Sequence, residues 1–163
     1  MISFDSDGTR FHYRVGAIII EDGHVLLCRA DWEDFWYVPG GRVEIRETAG
    51  DSLQRELREE LGCEGAIGRL LWLIENFFTF DETAFHEVGL YFVASLPEDA
   101  NKLRAAEFKR TDEVGTDLIF RWIALKELER ETIHPTFLIK GLRDLPAVTE
   151  HIVHRDEKPF KRA

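Results

Sequence analysis

Proline, cysteine and methionine are scarce in this 163-residue chain, with five, two and one copies, and apolar runs are short. The longest of them, such as Val15 to Ile20 and Leu70 to Ile74, fall well below the roughly 20 residues a membrane-spanning helix needs. Asp5, Asp7 and Arg10 interrupt the opening stretch, so no secretory leader is expected. Cys28 and Cys63 each lie inside an apolar pattern and read as small buried hydrophobes. A reducing cytoplasm is the expected location. Positive charge is also in deficit: 21 Lys and Arg face 31 Asp and Glu, a formal net charge of −10. That leaves no basic stripe to displace counterions from a nucleic acid polymer. A small anionic substrate stays open, because a divalent cation held by carboxylates reverses the local field.

What the chain does have is the composition of a folded protein, 44% hydrophobic and 32% charged. The length suits one domain over residues 1–163 with a real core, and the tail from about residue 154 reads as loose. Val15–Glu21 and His24–Arg29 flank Asp22-Gly23 and predict a β-hairpin. A loop with Trp32, Trp36 and Pro39-Gly40-Gly41 leads into a helix. Two β-rich runs, 68–80 and 84–96, are joined near Asp81-Glu82-Thr83 and are apolar on both parities, which predicts burial of both faces. Residues 97–116 read as a long polar connection, 118–124 as a strand, and 125–131 and 135–142 as helical. Strands mixed with two or three helices predict an α/β fold, a sheet between helical layers.

The helix over Thr48–Leu61 carries the chemical signal. Thr48 is a good N-cap with Asp51 three residues on, and Gly62 suits a left-handed C-cap. At about 100° per residue, Ala49, Leu53, Leu57 and Leu61 form the core-facing stripe. Glu60 falls inside that stripe and Glu56 at its edge, whereas Arg58 and Asp51 lie opposite and Glu59 flanks. A surface helix laced with charge pairs accounts for Arg58 and Asp51 but not for Glu60. An inward carboxylate needs a partner, since burying an unpaired charge costs several kcal/mol. Two carboxylates one turn apart also repel. A divalent cation answers both problems, and oxygen-only ligands suit Mg²⁺ or Mn²⁺.

From Gly41 the chain reads Gly, five residues, Glu47, seven residues, then Arg55-Glu56-Leu57-Arg58-Glu59-Glu60-Leu61-Gly62-Cys63. This resembles the Nudix box at every fixed position, a coincidence on the order of 10⁻⁵ for a Glu-rich chain. Cys63 stands where the pattern has an aliphatic residue, a change in packing only. Looser similarity runs through the first hairpin, Trp36-Tyr-Val-Pro-Gly-Gly41 and Trp122-Ile-Ala-Leu-Lys-Glu-Leu128. The resemblance implies an α/β/α sandwich with a mixed sheet. It also implies Mg²⁺- or Mn²⁺-dependent hydrolysis of a P–O–P link in a nucleoside-diphosphate-linked small molecule.

On the same resemblance Glu56, Glu59 and Glu60 bind the cations, with the carbonyl of Gly40 as a further ligand. Glu47 pairs with Arg55 and fixes the loop against the helix. The general base is left between Glu59 and Glu56. Outside the box, a turn near Asp81–Thr83 would set Phe77 opposite Glu87 and make Glu75 its same-face neighbour, two acids awkward without water or a cation. Asn76 and His86 flank them as candidate substrate contacts. Arg29, at the end of its strand, is a candidate phosphate ligand, with Arg14 a weaker one, and Trp36 either packs or stacks on a base. Glu107, Asp112 and Glu113 are further candidate bases.

Two rival functions use the same scaffold. A binding module that recognises such a metabolite without cleaving it typically loses box carboxylates, and this chain keeps them all. An isomerase needs cysteine and acid chemistry in the pocket, and both cysteines read as packing. The family forms homodimers often, and nothing in the sequence decides that here.

Overall fold

Asp22 and Gly23 both take positive φ, 48° and 74°, and make the tight turn that their residue types predict. In the computed structural model, which describes residues 1–111 and 115–161, that turn joins β3 (Ile20–Glu21) to β4 (His24–Ala30). The strand before it is divided. Residues Thr9–Ile18 form β2, which pairs in parallel with β6 (Thr83–Ser95) in another sheet, and the chain changes sheets at Ile19. With β1 (Ser3–Ser6), β5 (Ala66–Phe80) and β9 (Glu150–Arg155), the first sheet runs β1-β2-β6-β5-β9 and is mixed. With β7 (Glu107–Thr111) and β8 (Asp117–Ala124), the second runs β3-β4-β8-β7 and is antiparallel.

The helix α1 (Ala49–Leu61) is capped as its sequence predicts. The Thr48 hydroxyl accepts from the Asp51 N–H, and Gly62 closes the helix at φ 69°. Leu53, Leu57 and Leu61 are buried in a cluster with Val15, Ala17, Leu26, Cys28 and Phe120. A second cluster gathers Ile18, Leu27, Trp72, Ile74 and Tyr91 with Leu128, Leu138 and Leu142. Leu128 lies in a 3₁₀ segment, Leu125–Arg130, Leu138 opens α2 (Leu138–Gly141), and Leu142 caps that helix. The mixed α/β architecture expected from the sequence is present, with less helix on its second side than expected.

Three expectations need correction. Residues Glu107–Thr111 lie inside the stretch read as a connection, yet pair with β8, because an edge strand tolerates the polar, alternately exposed residues seen there. The central hairpin is not equally buried on both faces: Phe85, Glu87, Gly89 and Tyr91 are buried while His86, Val88, Leu90 and Phe92 are half-covered. The segment from residue 154 is held as far as it is described. His154 and Arg155 pair with Asn76 and Phe77, and Phe160 exchanges backbone hydrogen bonds with Thr79 and Asp81. Its ring stacks on His134 at 3.8 Å.

Candidate active site

The Pro39–Val43 loop lies flat along β2. Ala17, Val15 and Val43 donate to the carbonyls of Pro39, Gly41 and Tyr13 at 2.8, 2.8 and 2.9 Å. Such close approach leaves no room for side chains. Gly40 sits at φ 136°, and a Cβ there would strike the carbonyl oxygen of Val15. A Cβ on Gly41 would strike the carboxylate of Glu56. The two glycines therefore bring backbone against the carboxylates of α1.

Behind this loop lies a cavity of about 690 Å³ whose walls include Arg14, Gly40, Gly41, Arg55, Glu56, Glu59, Glu60 and Glu87. Glu60 is buried, and its Oε2 accepts the Gly40 N–H at 3.0 Å. Burial raises the Glu56 carboxyl above its ordinary value, with Arg55 acting against the rise. Arg58, from the opposite side of the helix, is half-exposed and reaches Glu64. The two carboxylates that the helical wheel turns inward thus share one concave site.

Arg55 organises the entrance. Its guanidinium grips Glu47 through two bonds of 3.0 Å, and it also donates to Glu56 at 2.8 Å, Glu59 at 3.2 Å and the Arg42 carbonyl at 3.2 Å. The side chain is about three-quarters buried, so these bonds are weakly screened. Replacing Arg55 by Ala leaves three carboxylates and a carbonyl without their shared donor. Urea denaturation should register a loss of about 1–3 kcal/mol; an unchanged midpoint would mean the network adds nothing.

Arg14 is half-buried on β2. Burial works against its charge, but Glu87, Tyr91 and Tyr37 more than offset this and hold its pKa above the usual value. It donates to the Gly40 carbonyl at 3.3 Å and lies over the Tyr37 ring. The more prominent sequence candidate, Arg29, turns away. Its guanidinium donates to the carbonyls of Ala30, Asp31 and Glu33 and stacks on the Trp36 ring, over which Arg121 also lies. Neither Arg29 nor Trp36 lines the cavity; both brace the loop that follows β4. The reason is local: Arg29 ends its strand beside a turn whose carbonyls lie within reach.

The hairpin register separates Glu75 from Glu87. The β5–β6 turn uses two residues, Asp81 and Glu82, at φ 46° and 64°, and Phe80 pairs with Thr83. Asn76 therefore faces Glu87, while Glu75 faces Val88 and points to the other side of the sheet, where it meets His151 at 2.7 Å. Glu87 is buried; burial raises its carboxyl, with Arg14 and a hydrogen bond from the Asn76 amide acting the other way. His86 turns from the cavity and stacks on Phe77. Glu107 is exposed and outside the cavity, and Asp112 and Glu113 lie outside the described residues.

Other wall residues carried no signal at sequence level, among them Glu33, Tyr37, Tyr91, Asp156 and Phe160. Asp156 accepts from His134, Thr136 and His154 at 3.1, 2.6 and 3.0 Å. Burial would raise its carboxyl, but these bonds hold it far below the usual range. His12, also in the wall, is pushed down to about 4 by burial and by Arg42, Arg14 and Arg10. A folded pKa below the unfolded one means the unfolded chain binds the extra proton, so His12 lowers stability as pH falls from about 6.5 to about 4. Thermal melts of a His12→Leu variant should lose part of this acid sensitivity; an identical pH profile would contradict it.

Whether these residues suit a divalent cation can be judged from their donors. Among the described residues, no three acidic, histidine or cysteine side chains are drawn together tightly enough to hold an ion as they stand. The donors nevertheless fit in kind and in place. They are carboxylate and carbonyl oxygens on the walls of one cavity, one of them desolvated, with both glycines keeping space clear for the backbone.

Comparison with known proteins bears on the family and the fold. A sequence model of the NUDIX domain matches residues 10–144. Diphosphoinositol polyphosphate phosphohydrolase 2 of Rattus norvegicus is 45% identical over 56 residues, 34% of this chain and 31% of that protein. RNA pyrophosphohydrolase of Halorhodospira halophila is 51% identical over 59 residues, 36% of this chain and 32% of that protein. These matches span about a third of each relative's length. Among solved structures, an ADP-ribose pyrophosphatase from Streptococcus suis superposes with a TM-score of 0.59 at 13% identity, covering 88% of this chain and 98% of that one, a likeness of fold.

Proposed function

The chain belongs to the Nudix family, and from that premise we propose that it is a divalent-cation-dependent hydrolase of a P–O–P link in a small, anionic, nucleoside-diphosphate-like substrate. The observation that carries this reading is the shared cavity: Glu56 and Glu60 stand inward on its wall beside Gly40, Gly41 and Arg14. Glu56, Glu59, Glu60 and the Gly40 carbonyl are the groups that would hold Mg²⁺ or Mn²⁺. Bound there, the cation would offset phosphate charge and acidify the attacking water.

Each residue then has a task of its own. Arg14, charged and half-buried, holds a phosphate oxygen at the cavity wall with the guanidinium N–H groups that its bond to the Gly40 carbonyl leaves over. Arg55 positions Glu56 and Glu59 without touching substrate. One of those two carboxylates takes a proton from water as the water oxygen bonds to phosphorus. The bridging P–O bond breaks, and its electron pair leaves with the departing phosphate. Glu47 keeps Arg55 in place. No described helix is long and apolar enough to cross a membrane. Both cysteines are free thiols, the state a reducing cytoplasm maintains.

The test is a panel of ADP-ribose, nucleotide sugars, dinucleotides, nucleoside triphosphates, diphosphoinositol polyphosphates and 5′-pyrophosphorylated RNA. Mg²⁺-dependent release of a phosphate or monophosphate product, abolished by chelator, is the expected result. Tight binding without turnover of any member would instead assign a metabolite-recognition role.

A further inference from the structure

Four strands lying side by side bring His12, Glu87, Asn76 and His154 into one row across the sheet. The first three line the cavity. Asn76 is only 3% exposed. Its amide N–H bonds to Glu87, which fixes the orientation of the amide, and its Oδ1 is a buried acceptor with no partner. The Nε2 of His12 is buried and unpartnered too. A native interior rarely leaves such atoms unmatched, since an unmet buried acceptor is costly. The next row holds Phe85 stacked on Phe78, centroids 4.8 Å apart and planes 2° from parallel, and Phe160 stacks on Phe78 at 5.5 Å.

We propose that Asn76 is a specificity-determining residue that accepts a hydrogen bond from an N–H on the edge of a nucleobase seated against the Phe78–Phe85–Phe160 wall. The reasoning rests on the hydrolase reading above and names the part of the substrate away from the phosphates. With its amide nitrogen turned toward Glu87, Asn76 is left with its oxygen as the unmatched atom, so the ligand must supply a donor. These rings stack on one another, and Phe160 on His134, so the wall presents ring edges, which suit edge-to-face contact with the π-face of a planar heterocycle. A phosphorylated saturated ring fits poorly, having no π-face for the phenylalanines and bringing its charge beside the Glu87 carboxyl. Phe160 and Asp156 lie beyond residue 144, where the family match ends, so this wall is completed by the chain's own C-terminal segment.

Binding in chelator-containing buffer tests the proposal without turnover. Calorimetric titration would compare AMP, GMP, CMP and UMP with purine riboside 5′-monophosphate, whose base has no edge N–H, and with ribose 5-phosphate. At least one of the four bases should bind about 5- to 150-fold more tightly than the donor-free purine. Asn76→Ala should erase that difference. Phe160→Ala, a change near the chain end, should weaken every base by about fivefold or more while leaving ribose 5-phosphate unaltered. Equal affinity for the donor-bearing and donor-free bases, no binding of any base, or a preference that survives Asn76→Ala overturns the inference. Such results alongside Mg²⁺-dependent hydrolysis would defeat this inference alone; hydrolysis undiminished in Glu60→Gln would defeat the reading beneath it.

Discussion

Glu60→Gln is expected to lower kcat by about 10²–10³-fold or more at saturating Mg²⁺ while leaving the melting temperature nearly unchanged. The two halves of this prediction have separate physical origins. Glu60 accepts the Gly40 N–H through Oε2 at 3.0 Å, and a glutamine carbonyl oxygen can accept the same bond. Loop and helix should therefore stay joined. What the substitution removes is a negative charge buried on the cavity wall, the property that a cation needs. Glu56 stands one turn away on the same wall with the same charge, so neutralising Glu60 relieves repulsion, and a large fall in kcat with an intact melt separates function from folding. Near-normal turnover would mean that Glu60 is a structural anchor for the glycine loop and nothing more.

Gly40→Ala should act the other way round, on the fold first. At φ 136° the backbone is in a region almost reserved for glycine, and the added Cβ would meet the Val15 carbonyl oxygen and lie 3.0 Å from the Gly16 Cα. Both obstacles are backbone atoms of β2, which is held between β1 and β6 and cannot retreat as a flexible side chain would. The expected cost is about 3–5 kcal/mol, or a fall in melting temperature of about 10 °C. Activity should fall too, because the displaced loop carries the N–H that bonds Glu60 and the carbonyl that Arg14 holds. A melt within a degree or two of the parent would show that the loop can lift from β2 at little cost.

How much was legible beforehand follows from how local each signal is. The caps of α1, its buried stripe and the inward turn of Glu56 and Glu60 depend on residues within one or two turns, and the 3.6-residue period carries them. The Asp22-Gly23 turn announces itself by composition. The Asp81-Glu82 turn does not, because it takes positive φ at two residues without a glycine. Misplacing it by one residue exchanges the faces of the hairpin. That is why Glu75 looked like the neighbour of Glu87 and Asn76 like a flanking residue. Proximity along the chain to the loop favours Arg29 over Arg14, whereas access depends on which side of its strand each one occupies. The C-terminal segment reads as loose for another reason. Its anchors are long-range, with Asp156 bound to His134 and Phe160 set among Phe35, Phe78 and Phe80. No local periodicity encodes such pairings.

On the proposed function, the acidic face of one helix, pressed against a glycine loop, holds a cation. Counting Mn²⁺ bound to the protein by electron paramagnetic resonance tests this without reference to any substrate. At least one tightly held ion per chain is expected, displaced by Mg²⁺ and lost when Glu56 and Glu60 are both changed to Gln in a protein that still melts cooperatively. Mn²⁺ binding of equal strength and number in that double variant, or none in the unaltered chain, would contradict it.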